Sequence, residues 1–274
     1  TSPTADGHVT GFETKGYRSY VLTALLIIYI LNFIDRGLLS VVAPVMKPEL
    51  GISDTAFGLL TGFGFALLYT VVGIPLAQFA ETRHRVWIMS VCVALWSLMT
   101  ALCGLAAEVT IGGLTIGAFW ILLACRVGVG VGEAGCTPPA HSLIVDYTPK
   151  EKRASALAFY SMGTPIGSLL GLVMGGIVAD AYGWRTAFLV AGAPGLIFAA
   201  LAFFTLKEPR KVMAAHAKGI AVASATFGET MAYLMKRKTF WFIAFAAAIK
   251  AFIGYGHAPF TASFFFRNHT GTRT

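Results

Sequence analysis

An arginine and a glutamate lie seven residues apart in a long apolar stretch of the sequence, at Arg126 and Glu133. On an α-helix this spacing places both side chains on one face, two turns apart, with Gly130 between them. A charged residue in the hydrocarbon core of a membrane costs about 2.5–3.5 kcal/mol on insertion scales, so it faces protein or water rather than lipid. The pair therefore predicts a polar site inside a helical membrane bundle.

A second set of polar residues lies in the first apolar stretch of the sequence. Asn32, Arg36 and Ser40 are spaced by four and form a stripe, with Tyr29 one step further back and Asp35 beside it. The adjacent charges could form an internal salt bridge that only fixes helix packing. Charge pairs in membranes more often line a pathway, and this is the interpretation that we favour.

The elements that must position these residues are transmembrane helices. Hydrophobic residues make up 56% of the chain and charged residues 12%, whereas soluble domains carry about 25% charged residues. A spanning helix needs about 20 mostly apolar residues. By this measure the sequence predicts seven spans, at 20–44, 57–80, 86–107, 115–146, 154–182, 187–206 and 240–266.

Basic residues fall in alternate loops, and this pattern predicts the orientation of the chain. The formal net charge is +8, and the positive-inside rule explains it better than nucleic-acid binding does. We expect a multi-pass protein of the plasma (inner) membrane with a cytoplasmic N-terminus and no nucleic-acid partner. The long basic loop at 207–238 is either an amphipathic helix on the inner leaflet or a solvated linker.

Several other chemistries are not supported by the sequence. The four cysteines lack CxxC spacing and are interpreted as small buried residues rather than as disulfides or metal ligands. The residues 130–135 match GxGxxG, but no strand precedes them and no acidic residue follows at the required distance. There is no nucleophile–base set and no metal cluster, so we predict no enzyme activity, no cofactor and no metal.

Four sequence motifs carry a resemblance to a known family. They are NFIDRGLLSVVAP in the first span, the run from RVGVGVGEAG to GTPIGSLLG that begins at Arg126, YGWRTAFLVAGAPG, and KEPRK. They cover most of residues 30–211. On these motifs the chain resembles the major facilitator superfamily, and most of all its Spinster-like branch of lysolipid and sphingosine-phosphate transporters.

The resemblance implies an all-α integral membrane fold with about twelve spans in two halves. This chain would supply a cytoplasmic tail (1–19), a six-helix N-terminal bundle (20–206), an inter-bundle loop (207–238) and the first helix of an incomplete C-terminal bundle (239–274). Because the family's substrate path lies between the halves, either the chain is truncated or a partner, such as a full-length copy, supplies the missing wall. Of these two we expect truncation.

The resemblance also implies a function. It predicts proton-coupled secondary active transport, by alternating access, of an amphipathic anionic lipid such as a lysophospholipid, with protons and membrane lipids as the other partners. The first and fourth spans of this family line the cavity. Asp35 and Glu133 would then carry the coupling proton, and Arg36 and Arg126 would bind the head group. The cavity would be lined by Asn32, Tyr29, Ser40, Gly130 and Tyr160.

The family's loop between spans two and three usually reads close to G-x-L-A-D-R-x-G-R, and here it reads AQFAETRHR. Glu81 and Arg85 remain available for a cytoplasmic gate, with Arg153 as a further member. Two other functions stay open. One is symport of small organic anions such as sugar phosphates, and the other is a truncated, non-transporting membrane fragment.

Overall fold

The computed structural model describes residues 14–111, 114–210, 227–257 and 260–269. The helices are α1 (Lys15–Leu50), α2 (Asp54–Thr61), α3 (Phe63–Thr82), α4 (Arg85–Cys103), α5 (Ala118–Ala134), α6 (Thr137–Tyr147), α7 (Arg153–Ser161), α8 (Gly163–Tyr182), α9 (Trp184–Thr205), α10 (Phe227–Met235), α11 (Lys238–His257) and α12 (Thr261–His269). A 3₁₀ turn, Lys150–Lys152, precedes α7.

Six helical segments within the described residues are long and apolar enough to cross a membrane. They are α1, α2 with α3, α4, α5 with α6, the turn at 150 with α7 and α8, and α9. This confirms the all-α membrane fold. Gly62, with φ −98° and ψ −114°, interrupts the second segment, and Gly135 separates α5 from α6. Left-handed Gly51, at φ 64°, ends α1, as is common where a helix stops.

The seventh predicted span differs from the structure, and the long predicted loop is described in part. Over the predicted seventh span, 240–266, the structure describes α11 and α12, with residues 258–259 between them outside the described part of the chain. Within the predicted loop at 207–238, residues 211–226 lie outside the described part of the chain and α10 follows them.

The predicted start of the fourth span at residue 115 is also wrong, because α5 begins at Ala118. The residues before it form a short antiparallel hairpin of β1 (Val109–Ile111) and β2 (Leu114–Ile116), with Thr110 opposite Thr115. Val, Ile and Thr around a Gly-Gly pair at 112–113 are a hairpin signal that the hydropathy pattern concealed.

Glycines bring the helices that carry the polar residues into close contact. On α8, Gly163, Gly167, Gly171 and Gly175 are all buried and face α1. A Cβ added at Gly171 would lie 3.0 Å from the Cα of Ile34, and one added at Gly163 would lie 2.7 Å from the ring of Tyr29. The stripe therefore lets the α1 and α8 backbones touch, which fixes the depth and rotation of α1.

Candidate functional site

Two buried ion pairs join α1 to α5. Arg36 donates to Glu133 Oε2 from Nε at 2.9 Å and from Nη2 at 2.5 Å. Arg126 Nη1 donates to Asp35 Oδ2 at 2.8 Å. Each arginine thus binds the acid of the other helix, and we call these contacts the crossed ion pairs. All four residues were predicted as site residues, and the structure brings them together.

The two acids differ in how fully their oxygens are satisfied. Asp35 is 2% exposed, and its second oxygen accepts a hydrogen bond from Thr100 Oγ1 of α4 at 3.1 Å. Glu133 is fully buried, and its Oε2 takes both bonds from Arg36, whereas its Oε1 has no hydrogen-bond partner among the described residues. The Nε atom of Arg126 is also buried without a partner there. A buried polar atom without a hydrogen-bond partner costs roughly 1–3 kcal/mol. The site therefore contains one acceptor, Glu133 Oε1, and one donor, Arg126 Nε, that could each form a further hydrogen bond.

Aromatic rings of α1 and α3 surround the guanidinium groups. The ring centroid of Phe65 lies 5.4 Å from the Arg36 guanidinium carbon and 5.1 Å from that of Arg126. Phe33 and Tyr69 lie 5.0 Å and 5.4 Å from Arg36. Cation–π contacts of this kind contribute about 0.5–2 kcal/mol each, and they need no counter-charge. The rings therefore help to hold the two guanidinium groups in place independently of their salt bridges to the acids.

A cavity of about 360 Å³ lies beside Arg126. Apart from Arg126 its lining side chains are apolar, and they come from α2, α3 and α5: Leu59, Leu60, Phe65, Leu67, Leu68, Val71, Leu123 and Val127. The cavity is therefore apolar, with the guanidinium of Arg126 at its edge. Among the described residues no cluster of His, Cys, Asp or Glu could hold a metal ion.

The predicted lining residues have different surroundings. Tyr29 stacks on Tyr160 with ring centroids 4.3 Å apart, which joins α1 to α7. An added Cβ at Gly130 would lie 3.1 Å from Leu68, so this glycine faces α3 beside the cavity. Asn32 and Ser40 are buried on α1.

The predicted gate residue Arg85 lies in a separate cluster at the start of α4. Its guanidinium is 1% exposed and donates to Glu208 Oε1 at 3.0 Å from Nε and 2.5 Å from Nη2, while its backbone N–H donates to Oε2 at 2.7 Å. Nη1 contacts Asp146 and Ser142, each at 2.6 Å. Arg85, Ser142, Asp146 and Glu208 form what we call the Arg85 cluster.

The other two predicted gate residues are not seen in this cluster. Arg153 Nε donates to the carbonyl of Thr148 at 3.3 Å, and the side chain of Glu81 lies outside the described residues. Burial by itself would raise the pKa of Glu208, but hydrogen bonds from Arg85 and its positive charge hold that pKa below the usual range of a glutamate. The cluster therefore contains a glutamate that stays ionised and tethers the end of α9 to α4.

Sequence reasoning missed several residues that the structure places in these two clusters. For three of them a signal existed, because Phe65 and Tyr69 are four apart and share a helix face, and Glu208 lies in the KEPRK motif. The others carried no pattern of their own. The missed residues are Phe65, Tyr69, Thr100, Ser142, Asp146 and Glu208.

A helical bundle with six apolar segments long enough to cross a membrane, and with buried, paired charges inside it, defines the chain as a multi-pass integral membrane protein. The sequence matches the Major Facilitator Superfamily over residues 25–272, and the chain belongs to that family. A solved bacterial homolog of the human lysosomal transporter Spinster, in an inward-facing and unoccupied conformation, superimposes with a TM-score of 0.75 at 39% identity, covering 94% of this chain and 57% of that one. The predicted likeness to the Spinster branch is thus confirmed.

Two further relatives show how varied the similar proteins are. An MFS-type efflux pump of Mycolicibacterium smegmatis is 33% identical over 89% of this chain and 53% of the pump. A hexuronate transporter of Bacillus subtilis is 28% identical over 82% of this chain and 51% of that transporter. The chain spans about half the length of the curated relatives that it matches.

Proposed function

We propose that the chain forms the substrate- and proton-binding half of a secondary active transporter for an amphipathic anionic lipid, of the lysophospholipid or sphingosine-phosphate type. Transport proceeds by alternating access and is coupled to protons. The observation that carries the proposal is the pair of crossed ion pairs next to an apolar cavity. The second wall of the path is expected from a further set of helices, since the family's path lies between two halves.

The cavity favours an amphipathic anion over a fully polar one. A sugar phosphate needs hydrogen-bond partners around its whole surface, whereas the described lining offers one guanidinium among apolar side chains. An acyl chain gains about 0.8 kcal/mol for each buried CH₂ group, and a phosphate binds a guanidinium bidentately. Arg126, with its unused Nε donor, is placed to bind the head group while the chain enters the pocket.

We assign the coupling proton to Glu133 and Asp35, and the response to it to Arg36, which also binds the head group. When Glu133 takes up a proton on its unpartnered Oε1, it loses its charge and with it most of its attraction for Arg36. The freed guanidinium can then bind the phosphate of the substrate. The bound proton and the bound substrate both favour the state in which Arg36 has left Glu133, so binding of one promotes binding of the other. Asp35 would take up a proton less readily than Glu133, because Thr100 donates a hydrogen bond to its carboxylate.

Location and orientation follow from the charge pattern. We place the protein in the plasma (inner) membrane with the N-terminus in the cytoplasm, because basic residues concentrate in the loops on that side. In this orientation the Arg85 cluster lies at the cytoplasmic end of the bundle. It serves there as a gate element that holds α4, α6 and the chain after α9 together.

The test is uptake by the natural protein that contains this sequence, reconstituted into phosphatidylcholine vesicles with a pH-sensitive dye inside. Glu133→Gln should abolish pH-driven uptake of a labelled lysophosphatidate and the accompanying proton flux. Glu151→Gln, at an exposed position, is the matched control and should leave both unchanged. Unchanged pH-driven uptake by Glu133→Gln would refute the proton role.

A second candidate function is symport of small organic anions, and similarity to the hexuronate transporter favours it. Competition separates the two. If unlabelled lysophosphatidate inhibits uptake and a hexuronate or hexose phosphate does not, the lipid assignment stands. The opposite result assigns the site to small anions, with Arg36 and Arg126 as their ligands.

A further inference from the structure

All four cysteines of the chain lie along one helix–helix interface. Cys92 and Cys103 belong to α4, Cys125 belongs to α5, and Cys136 lies between α5 and α6. All four are free and buried. α4 and α5 pack antiparallel, with Gly135 against Cys92 and Gly128 against Met99, and one further turn of this register places Cys125 opposite Cys103. Cys136, by contrast, directs its thiol to the carbonyl of Met89.

Glycines bring the backbones of α4 and α5 close together at this interface. A Cβ added at Gly128 would lie 2.6 Å from Met99 Cγ, and one added at Gly132 would lie 2.7 Å from the backbone nitrogen of Trp96. A disulfide requires Cα atoms about 4.4–6.8 Å apart, and only closely packed helices offer that separation. The α4–α5 contact therefore suits a covalent bond between the two helices.

The chemical surroundings distinguish the two sulfur atoms. Cys125 keeps 7% of its surface exposed, while Cys103 has none. Arg126 follows Cys125 directly in the sequence, and a neighbouring cation favours the thiolate, which is the nucleophile. Cys125 is thus the residue that a small oxidant meets first, and Cys103 is the thiol positioned to resolve the product.

We propose that Cys103 and Cys125 are a redox modification site, at which a peroxide forms a reversible disulfide between α4 and α5. The Cys125 thiolate attacks one peroxide oxygen, breaks the O–O bond and becomes a sulfenic acid, and the first water leaves. The Cys103 thiol then attacks that sulfur, forms the S–S bond and releases the second water. Two thiols lose two electrons and two protons, and one hydrogen peroxide becomes two waters.

The bond would act on the crossed ion pairs. Thr100 lies one turn before Cys103, and Arg126 lies next to Cys125, and both donate hydrogen bonds to Asp35. A disulfide at 103–125 ties these two donors together and holds Asp35 in its present contacts. This regulatory consequence rests on the proposed transport function, whereas the formation of the disulfide does not.

The chemical test uses the natural protein in membranes with Cys92→Ser and Cys136→Ser, so that in this part of the chain only the proposed pair remains. A protease site is inserted between Gly112 and Gly113. After peroxide treatment and cleavage, the two fragments should stay joined on a non-reducing gel and separate with dithiothreitol, and the intact protein should lose about 2 Da. Adding Cys103→Ser should prevent the link.

The same oxidation on the unaltered chain, read by peptide mass, guards against variants that fail to fold. A 103–125 link in those peptides supports the site. Oxygen addition to Cys125 without a link, or no reaction, overturns it. In vesicles, peroxide should stop uptake by the Cys92→Ser, Cys136→Ser protein, and dithiothreitol should restore it. A link that leaves uptake unchanged overturns the regulatory role alone, whereas reduced protein without uptake counts against the transport function and leaves the chemical result standing.

Discussion

Replacing Glu208 with alanine should destabilise the bundle more than any exposed substitution, because it leaves a buried cation undercompensated. Arg85 is 1% exposed and directs three donors at this carboxylate: Nε, Nη2 and its own backbone N–H. Asp146 would remain as its partner through Nη1. The side chain of Asp146 is 18% exposed, so part of its attraction is screened by solvent.

The magnitude follows from the number of donors left without an acceptor. Removing one partner of a buried ion pair costs about 3–5 kcal/mol, and the surviving contact to Asp146 places Glu208→Ala near the lower end of this range. Glu208→Gln keeps one acceptor oxygen and should cost about 1–3 kcal/mol. A loss of about 3 kcal/mol corresponds to a decrease in Tm of roughly 6–12 °C.

The assay is thermal unfolding of the purified protein in detergent, followed by tryptophan fluorescence. Glu151→Ala is the control, since an exposed substitution should change stability by less than about 0.5 kcal/mol. The expected order of Tm is wild type and control highest, then Gln, then Ala. If Glu208→Ala unfolds at the temperature of the control, the Arg85 cluster does not stabilise the bundle and the reasoning from its geometry is refuted.

Three further predictions concern stability. Because the pKa of Glu208 is lowered by folding, its contribution to stability is present above about pH 4.5 and is lost as the pH falls through the lower folded value. The Tm difference between wild type and Glu208→Gln should therefore shrink on acidification, and a constant difference would contradict this. Gly167→Ala should cost about 1–3 kcal/mol because its Cβ overlaps the α1 backbone, whereas Gly176→Ala, whose Cβ finds a neighbour at 3.6 Å, should be neutral or stabilising in the same melt. Thr100→Val removes the hydroxyl donor to Asp35 at nearly constant shape and should lower the free energy of unfolding by about 1.5–3 kcal/mol; an unchanged melt would show that Arg126 alone satisfies the acid.

The spans and the site helices could be predicted from the sequence, because hydropathy and helical spacing are local properties. The partners of the charged residues could not be predicted, because the sequence left open whether the adjacent Asp35 and Arg36 pair with each other. Asp35 and Arg36 are adjacent, so their side chains point about 100° apart around the helix. Arg126 and Glu133 are seven residues apart, which is about 10.5 Å along the axis. In the structure neither pair meets within its own helix, and each charge has its partner on the other helix.

Other features depended on contacts that no local pattern contains. The hairpin before α5 was hidden because its Val, Ile and Gly residues are as hydrophobic as a membrane span. Asp146 and Glu208 are far apart in the sequence, and what joins them is the position of Arg85 after the turn between α3 and α4. The loop motif kept Glu81 and Arg85 as candidates for a gate, but nothing in it indicated that Arg85 would pair with Asp146 and Glu208.

The crossed arrangement itself separates the roles of the two acids. Both ion pairs bridge α1 and α5, so sliding one helix along the other must break both of them together. Protonation of Glu133 weakens one bridge and leaves the other in place, because Asp35 is bound by Arg126 and Thr100 at once while one oxygen of Glu133 has no described partner. Of the two acids, Glu133 is thus the one whose charge can change without dismantling the α1–α5 contact. In the proposed mechanism, Asp35 would therefore hold α1 to α5 while Arg36 exchanges its partner.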